Sequence, residues 1–141
     1  MPGRFAISNL RTRRQRGSAM LEGAIISLGF MAIILGVMDF GRMVWSYTLI
    51  SEAAREATRY AIVHGSASGH QASTDTIKGV VTSTAIGLSS SSITTNVTFS
   101  PDQSAGSTAK VEVNYSFTPV APYIPSGTIT LRSTSQMVIY Q

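Results

Sequence analysis

The sequence predicts an α+β protein, in which one long N-terminal helix crosses a membrane and continues into a small domain with a short helix and a three- or four-stranded antiparallel sheet. Three observations predict this class: a basic segment precedes about twenty apolar residues, helical spacing persists beyond them, and apolar and polar residues alternate near the end of the chain. With 141 residues the chain has room for a membrane segment and one small core, but not for two independent cores.

The basic charge is concentrated at the start of the chain. The net charge is +4, yet five arginines lie within the first 17 residues and no acid accompanies them. From Ser18 onward six basic residues stand against seven acidic ones, which sums to −1. We therefore predict a basic leader over residues 1–17, and we expect no nucleic-acid partner.

Residues 18–38 have the length and composition of a membrane helix. Glu22 is their only charged residue, and roughly 20 apolar residues are needed to cross about 30 Å of hydrocarbon. The upstream arginines predict a cytoplasmic N-terminus, with everything after the span outside. A removable secretory signal is the alternative, but its apolar stretch is usually only about 7 to 15 residues long.

Helical spacing continues beyond the span, and no proline interrupts it before His64. The apolar residues that recur at intervals of three or four are Phe40, Val44, Tyr47, Ile50, Ala54, Ala57 and Ala61. The sequence therefore predicts a single helix over residues 18–64, about 70 Å long, with an amphipathic second part.

Glu22 is the most informative residue of the span. A carboxylate within a membrane helix costs about 2.5–3.5 kcal/mol at the helix centre and usually has a partner. Cleavage after Gly17 would create a cation, the amine of Ser18, which Glu22 of an adjacent subunit would neutralise. The alternative is a carboxylate that reaches up to the lipid headgroups.

Other residues of the long helix have competing explanations. Small residues at intervals of four would let another helix approach closely, or they reflect the ordinary tolerance of membrane helices for glycine; they are Ala19, Gly23 and Ser27. Three acid–base pairs at i, i+3 are expected to be solvated: Asp39 with Arg42, Glu52 with Arg55, and Glu56 with Arg59. Trp45 and Tyr47 fit either interfacial anchors or core beneath the domain.

Residues 65–141 are predicted to form the small exported domain. After a loop over residues 65–74, Thr74 or Asp75 is expected to cap a short helix over residues 76–88. A serine linker then leads to three strands, predicted at Ile93–Phe99, Ala109–Phe117 and Thr128–Tyr140. A turn over residues 101–106 joins the first two as a hairpin, and Pro119, Pro122 and Pro125 stiffen the crossing to the third. The sheet is expected to bury Tyr47, Ile50, Ala54, Ala57 and Ala61 of the long helix.

No pattern of catalytic or ligand-binding residues emerges. The chain contains no cysteine, which excludes disulfides and thiol chemistry. His64 and His70 lie six residues apart in or beside a loop, a spacing poorly suited to a metal. We expect no enzyme activity, cofactor, metal or small-molecule substrate, and an anchored periplasmic enzyme ranks as the weakest alternative.

Two segments carry a family resemblance. The run from Arg16 to Glu22 is similar to a type IV prepilin cleavage site, in which a glycine ends a basic leader and a glutamate stands fifth in the mature chain. The segments 39–42 (DFGR) and 52–61 (EAAREATRYA) resemble the TadE-like pilin-related proteins of tight-adherence pilus systems. Residue 18 is serine, where many type IV pilins have phenylalanine, and Gly23 stands where tight-adherence major pilins carry tyrosine.

The resemblance implies a pilin-like fold and a structural function. A membrane prepilin peptidase would cut between Gly17 and Ser18, and Glu22 would guide cutting, assembly or both. The chain would be a minor pilin or pseudopilin of a tight-adherence (type IVb, Flp-like) pilus used for surface attachment. Its partners would be the bacterial cytoplasmic membrane, the peptidase, other pilin subunits and the assembly platform, with incorporation into the extracellular pilus as a further step. The alternative is an uncleaved single-pass module that binds a partner through its exported domain.

Overall fold

A computed structural model describes residues 8–121 and 127–140, with side chains within the first helix from residue 17 onward. The described elements are helix α1 (Ser8–Val63), helix α2 (Thr74–Thr84), a 3₁₀ turn (Ser90–Ser92) and strands β1 (Ile93–Ser100), β2 (Thr108–Phe117) and β3 (Ile129–Val138). The chain divides into two units, one ending at Met38 and the other beginning at Asp39. The predicted α+β class is confirmed, with three strands in the sheet.

The first unit presents an apolar helical surface that nothing within it covers. Exposed large side chains of this unit include Met20, Leu21, Ile25, Ile26, Leu28, Phe30, Met31, Ile33, Ile34, Val37 and Met38. In the described part of the chain, α1 alone is long and apolar enough to cross a membrane. Such a surface is stable only against lipid or other apolar helices, which supports the predicted span over residues 18–38.

Helix α1 begins earlier than the sequence suggested. The sequence predicts a helix over residues 18–64, whereas α1 already includes Ser8 and runs through Gly17. Residues 8–16 contain neither glycine nor proline, and several are good helix formers. The single glycine at position 17 costs only about 1 kcal/mol relative to alanine, which is too little to stop a growing helix.

In the second unit, α1 packs against the sheet through its smallest side chains. Ala53, Ala54, Ala57 and Ala61 are fully buried together with Ile50. The prediction is confirmed for Ile50 and for the alanines it included, but it is wrong for Tyr47, which is 50% exposed. The buried face is rotated away from Tyr47, Phe40 and Val44, because close contact with a sheet selects alanine over larger side chains at the point of closest approach.

The sheet is a simple antiparallel meander in the order β1–β2–β3. Val111 on the central strand lies opposite Val97 of β1 and Ser135 of β3. Burial alternates along all three strands, as expected when one face covers a core and the other meets solvent. The hydroxyl of Thr58 lies 3.4 Å from the carbonyl oxygen of Ser135, where helix and sheet meet.

Helix α2 differs from the prediction at both ends. Its N-cap is Ser73, whose hydroxyl accepts from the backbone N–H of Thr76 at 3.1 Å, rather than Thr74 or Asp75. The helix ends at Thr84 rather than at residue 88, so Ile86 lies beyond it and is 75% exposed. Gly87 follows with φ of +91°, a conformation that favours glycine and that helices do not adopt. Ile77 and Val81 of this helix lie in the core.

The β1–β2 hairpin is confirmed, and one carboxylate organises its turn. Asp102 accepts hydrogen bonds from the hydroxyl of Ser104 at 2.5 Å, the hydroxyl of Ser107 at 2.6 Å and the backbone N–H of Ser104 at 2.9 Å. These donors favour the charged form and lower the pKa of Asp102 to about 2. The connection to β3 contains Pro119, whereas Pro122 and Pro125 lie outside the described residues.

The turn should therefore respond to pH only in strong acid. Because the folded pKa of Asp102 is depressed from 3.8, its contribution to stability is present above pH 3.8 and is lost as the pH falls through about 2. Carboxyl-carbon NMR of the protein in detergent should show this low titration midpoint. Ser107→Ala should move the midpoint back toward 3.8. Ser91 lies outside the turn, so Ser91→Ala should leave the midpoint unchanged. A midpoint near 3.8 in the unaltered chain would contradict the hydrogen bonding described.

Candidate membrane and assembly site

The predicted processing junction and the predicted carboxylate occupy consecutive turns of α1. Gly17, Ser18 and Glu22 are all exposed. Residues 18 and 22 are four apart and so share one helix face. Among the described ion pairs of the chain, none involves Glu22. A partner for this carboxylate on another molecule stays a prediction.

The predicted small-residue face is open as well. Ala19, Gly23 and Ser27 are exposed at intervals of four residues. A Cβ added at Gly23 would meet nothing within 4 Å. The glycine is therefore not required by the packing of this chain itself, and close packing against another helix stays a prediction.

Asp39, the first residue of the second unit, forms a contact that the sequence did not reveal. One carboxylate oxygen accepts from the backbone N–H of Val120 at 2.8 Å and from that of Ala121 at 2.7 Å. The other oxygen accepts from Arg42 at 2.8 Å. Asp39 is only 5% exposed. The carboxylate thus ties the start of this unit's helix to the connection that follows β2.

The electrostatics of this contact favour the charged carboxylate. Asp39 lies outside the predicted span 18–38, and the N–H of Ala121 is the main cause that lowers its pKa. Burial opposes the shift, while the N–H of Val120 and the guanidinium of Arg42 add to it. Arg42 in turn lies over the ring of Phe117, at 5.3 Å from the ring centroid.

The expectation that Asp39 and Arg42 form a solvated pair is therefore wrong for Asp39. The position of Asp39 in the sequence could have indicated this burial. An acid directly after an apolar segment needs hydrogen-bond donors if the fold covers it. Glu56 and Arg59 do form an exposed pair, 3.8 Å apart. Within the described residues, Glu52 and Arg55 form no ion pair.

The other residues singled out in the sequence, two aromatic residues and two histidines, do not come together in a further site within the described part of the chain. Trp45 is 51% exposed and Tyr47 is 50% exposed, so neither is core. The ring of His64 stacks on Tyr60 with centroids 4.1 Å apart, and His70 lies on the exposed loop that follows.

Comparison with known proteins finds one family. The family model described as TadE-like protein matches residues 17–59, which confirms the resemblance. The match begins at the predicted cleavage glycine and includes Glu22, Asp39 and Arg42. No curated protein and no solved structure matches the chain.

Proposed function

We propose that this chain, whose residues 17–59 match the TadE-like family, is a minor pilin or pseudopilin that takes part in assembling a tight-adherence pilus for surface attachment. The observation that carries the proposal is the coincidence of three features on one apolar helix. The family match starts at Gly17, Glu22 follows at the pilin spacing, and the carboxylate has no ion pair among the described residues.

Glu22 is energetically costly within a membrane helix unless it has a partner. An unpaired carboxylate in a membrane helix is expensive, so a helix that keeps one gains most from a cationic partner. Cleavage after Gly17 would generate an amine at Ser18, which carries positive charge at neutral pH. In a filament, the Ser18 amine of one subunit would then neutralise Glu22 of the adjacent subunit. The exposed small residues Ala19, Gly23 and Ser27 would allow the two helices to approach closely.

Processing is the first property to test. The full chain is expressed with and without a prepilin peptidase, extracted from membranes and examined by intact mass and N-terminal sequencing. We expect a peptidase-dependent start at Ser18 in the unaltered chain and little or none in Gly17→Ala. Gly29→Ala is the matched control, because it makes the same change deeper in the helix, where an added Cβ also meets nothing within 4 Å.

Glu22→Gln then separates cutting from assembly. Normal cleavage with loss of the subunit from pilus fractions would assign Glu22 to assembly, whereas loss of cleavage would assign it to processing. A chain that still begins at Met1 or Pro2 beside active peptidase would contradict the pilin proposal.

One observation favours the uncleaved anchor as a second candidate. Helix α1 runs without a break from Ser8 through the junction at Gly17 and Ser18. The bond to be cut would then lie inside a helix, whose backbone hydrogen bonds would have to open locally before cutting. The same sequencing experiment decides between the two functions.

A further inference from the structure

Four large apolar side chains lie exposed in the segments that meet the start of the second unit's helix. Phe40 and Trp45 belong to that helix, Ile86 follows α2, and Val120 belongs to the connection after β2. Their exposed fractions are 63%, 51%, 75% and 66%, in that order. We refer to these four residues as the apolar collar.

Specific contacts hold the segments of Ile86 and Val120 beside the start of the second unit's helix. The segment of Ile86 is fixed by its neighbour Gly87, where an added Cβ would lie only 3.0 Å from Cη2 of the Trp45 ring. The segment of Val120 is fixed by the N–H groups bound to Asp39, described above. Three separate parts of the chain therefore gather around the first two turns of this helix.

The other end of the second unit has a different surface. There the N–H of Ser66 donates to the carbonyl of Gln103 at 2.9 Å, joining two loops rich in serine, glycine and other small or polar residues. Val138, Val63 and Tyr140 are 49%, 55% and 81% exposed and lie near this end, with Val138 opposite Thr108 in the sheet. The collar end carries twice as many of the exposed large apolar side chains described in this unit: Phe40, Val44, Trp45, Tyr47, Ile86 and Val120.

We propose that the apolar collar rests in the headgroup layer of the membrane that residues 18–38 cross. Phe40 follows Met38 by two residues and Trp45 follows it by seven, so they lie about 3 and 10 Å further along a helix. The headgroup regions add roughly 5–8 Å on each side of the hydrocarbon core. The backbone of Phe40 therefore falls within this layer. The backbone of Trp45 lies just beyond it, but helical side chains tilt toward the N-terminus, so its ring reaches back to the outer edge of the layer, where aromatic side chains are stable.

We favour lipid as the occupant, because Phe40 follows the predicted span 18–38 by only two residues in sequence. The collar comes from three segments rather than from one helix stripe, as expected for contact with a broad surface rather than with a single partner helix. The proposal rests on residues 18–38 spanning the membrane. It does not depend on cleavage or on the pilin function.

The absence of cysteine makes the contact directly measurable. Single variants Ile86→Cys and Val120→Cys of the full chain are labelled with an environment-sensitive fluorophore and reconstituted into phosphatidylcholine–phosphatidylglycerol vesicles. Some lipids carry a nitroxide at the headgroup or high on the acyl chain. Gly29→Cys reports the span, and Val138→Cys is the matched control, an exposed apolar residue at the other end of the unit.

We expect the labels at positions 86 and 120 to emit at shorter wavelength than the label at 138, and to be quenched by the nitroxides at least several-fold more strongly. The label at position 29 should be quenched most by nitroxides deep in the acyl chain. Trp45, the only tryptophan, provides a label-free check of the fold in each variant and of quenching in the unaltered chain.

Three results would overturn the proposal in distinguishable ways. Quenching at 86 and 120 no stronger than at 138, with strong quenching at 29, would reject the collar and keep the span. Weak quenching at all four positions would reject the span and the collar together. Protection of 86 and 120 from an aqueous quencher without nitroxide quenching, increasing with the protein-to-lipid ratio, would assign the surface to a second copy of the chain.

Discussion

Ala57→Leu is expected to lower the melting temperature of the second unit by on the order of 10 °C. Ala57 is fully buried in the core cluster that also contains Ala54 and Val111. Added methylene groups in such a contact force side chains or the helix itself to move, typically at a cost of 1–3 kcal/mol, about 4–8 °C for each kcal/mol in a domain of this size. The small side chain therefore sets how closely the helix approaches the sheet.

Arg55→Leu is the matched control, since it places the same side chain on the exposed face of the same helix, and arginine and leucine have similar helix propensity. Thermal unfolding in detergent is followed by Trp45 fluorescence, which reports on this unit without signal from the membrane segment. Equal melting temperatures for Ala57→Leu and Arg55→Leu would contradict the close helix–sheet contact.

Asp39→Ala is expected to release the connection after β2 from the helix. The N–H groups of Val120 and Ala121 lose their acceptor, and leaving the buried donor of Ala121 unpaired costs about 1–3 kcal/mol. Asp39→Asn should have a smaller effect, because its amide oxygen still accepts from the backbone, although the charge that pairs with Arg42 is gone.

Amide hydrogen exchange measures this release at the affected residues. Exchange at Val120 and Ala121 should be fastest in Asp39→Ala, intermediate in Asp39→Asn and slowest in the unaltered chain. Glu52→Ala is the control, an exposed acid on the same helix with no ion pair among the described residues. Unchanged exchange at both amides in Asp39→Ala would show that the carboxylate does not hold this connection.

Several features of the candidate site were predictable because they depend on short segments. The glycine at 17, the glutamate at 22 and the apolar run after them are adjacent in sequence, and the family match covers the same residues. The alternation along β2 likewise reflects a local period of two residues. Such patterns are visible before any tertiary contact is known.

Other features depended on residues far apart in the chain. Helical periodicity gave the same spacing for Tyr47 and Ile50, and only the position of the sheet decided that Ile50 is buried and Tyr47 is not. Asp39 looked like half of a solvated pair, because its donors lie 81 and 82 residues further along the chain.

The sequence by itself thus determined which segments are helix and strand and which helix is apolar and long enough to cross a membrane, since local propensity and periodicity dominate there. The tertiary structure alone decided which face of the helix is covered, which carboxylate is buried and which apolar residues gather around the start of the second unit's helix. Those outcomes depend on packing and on hydrogen-bond donors brought together by the fold, and neither is encoded within a single segment.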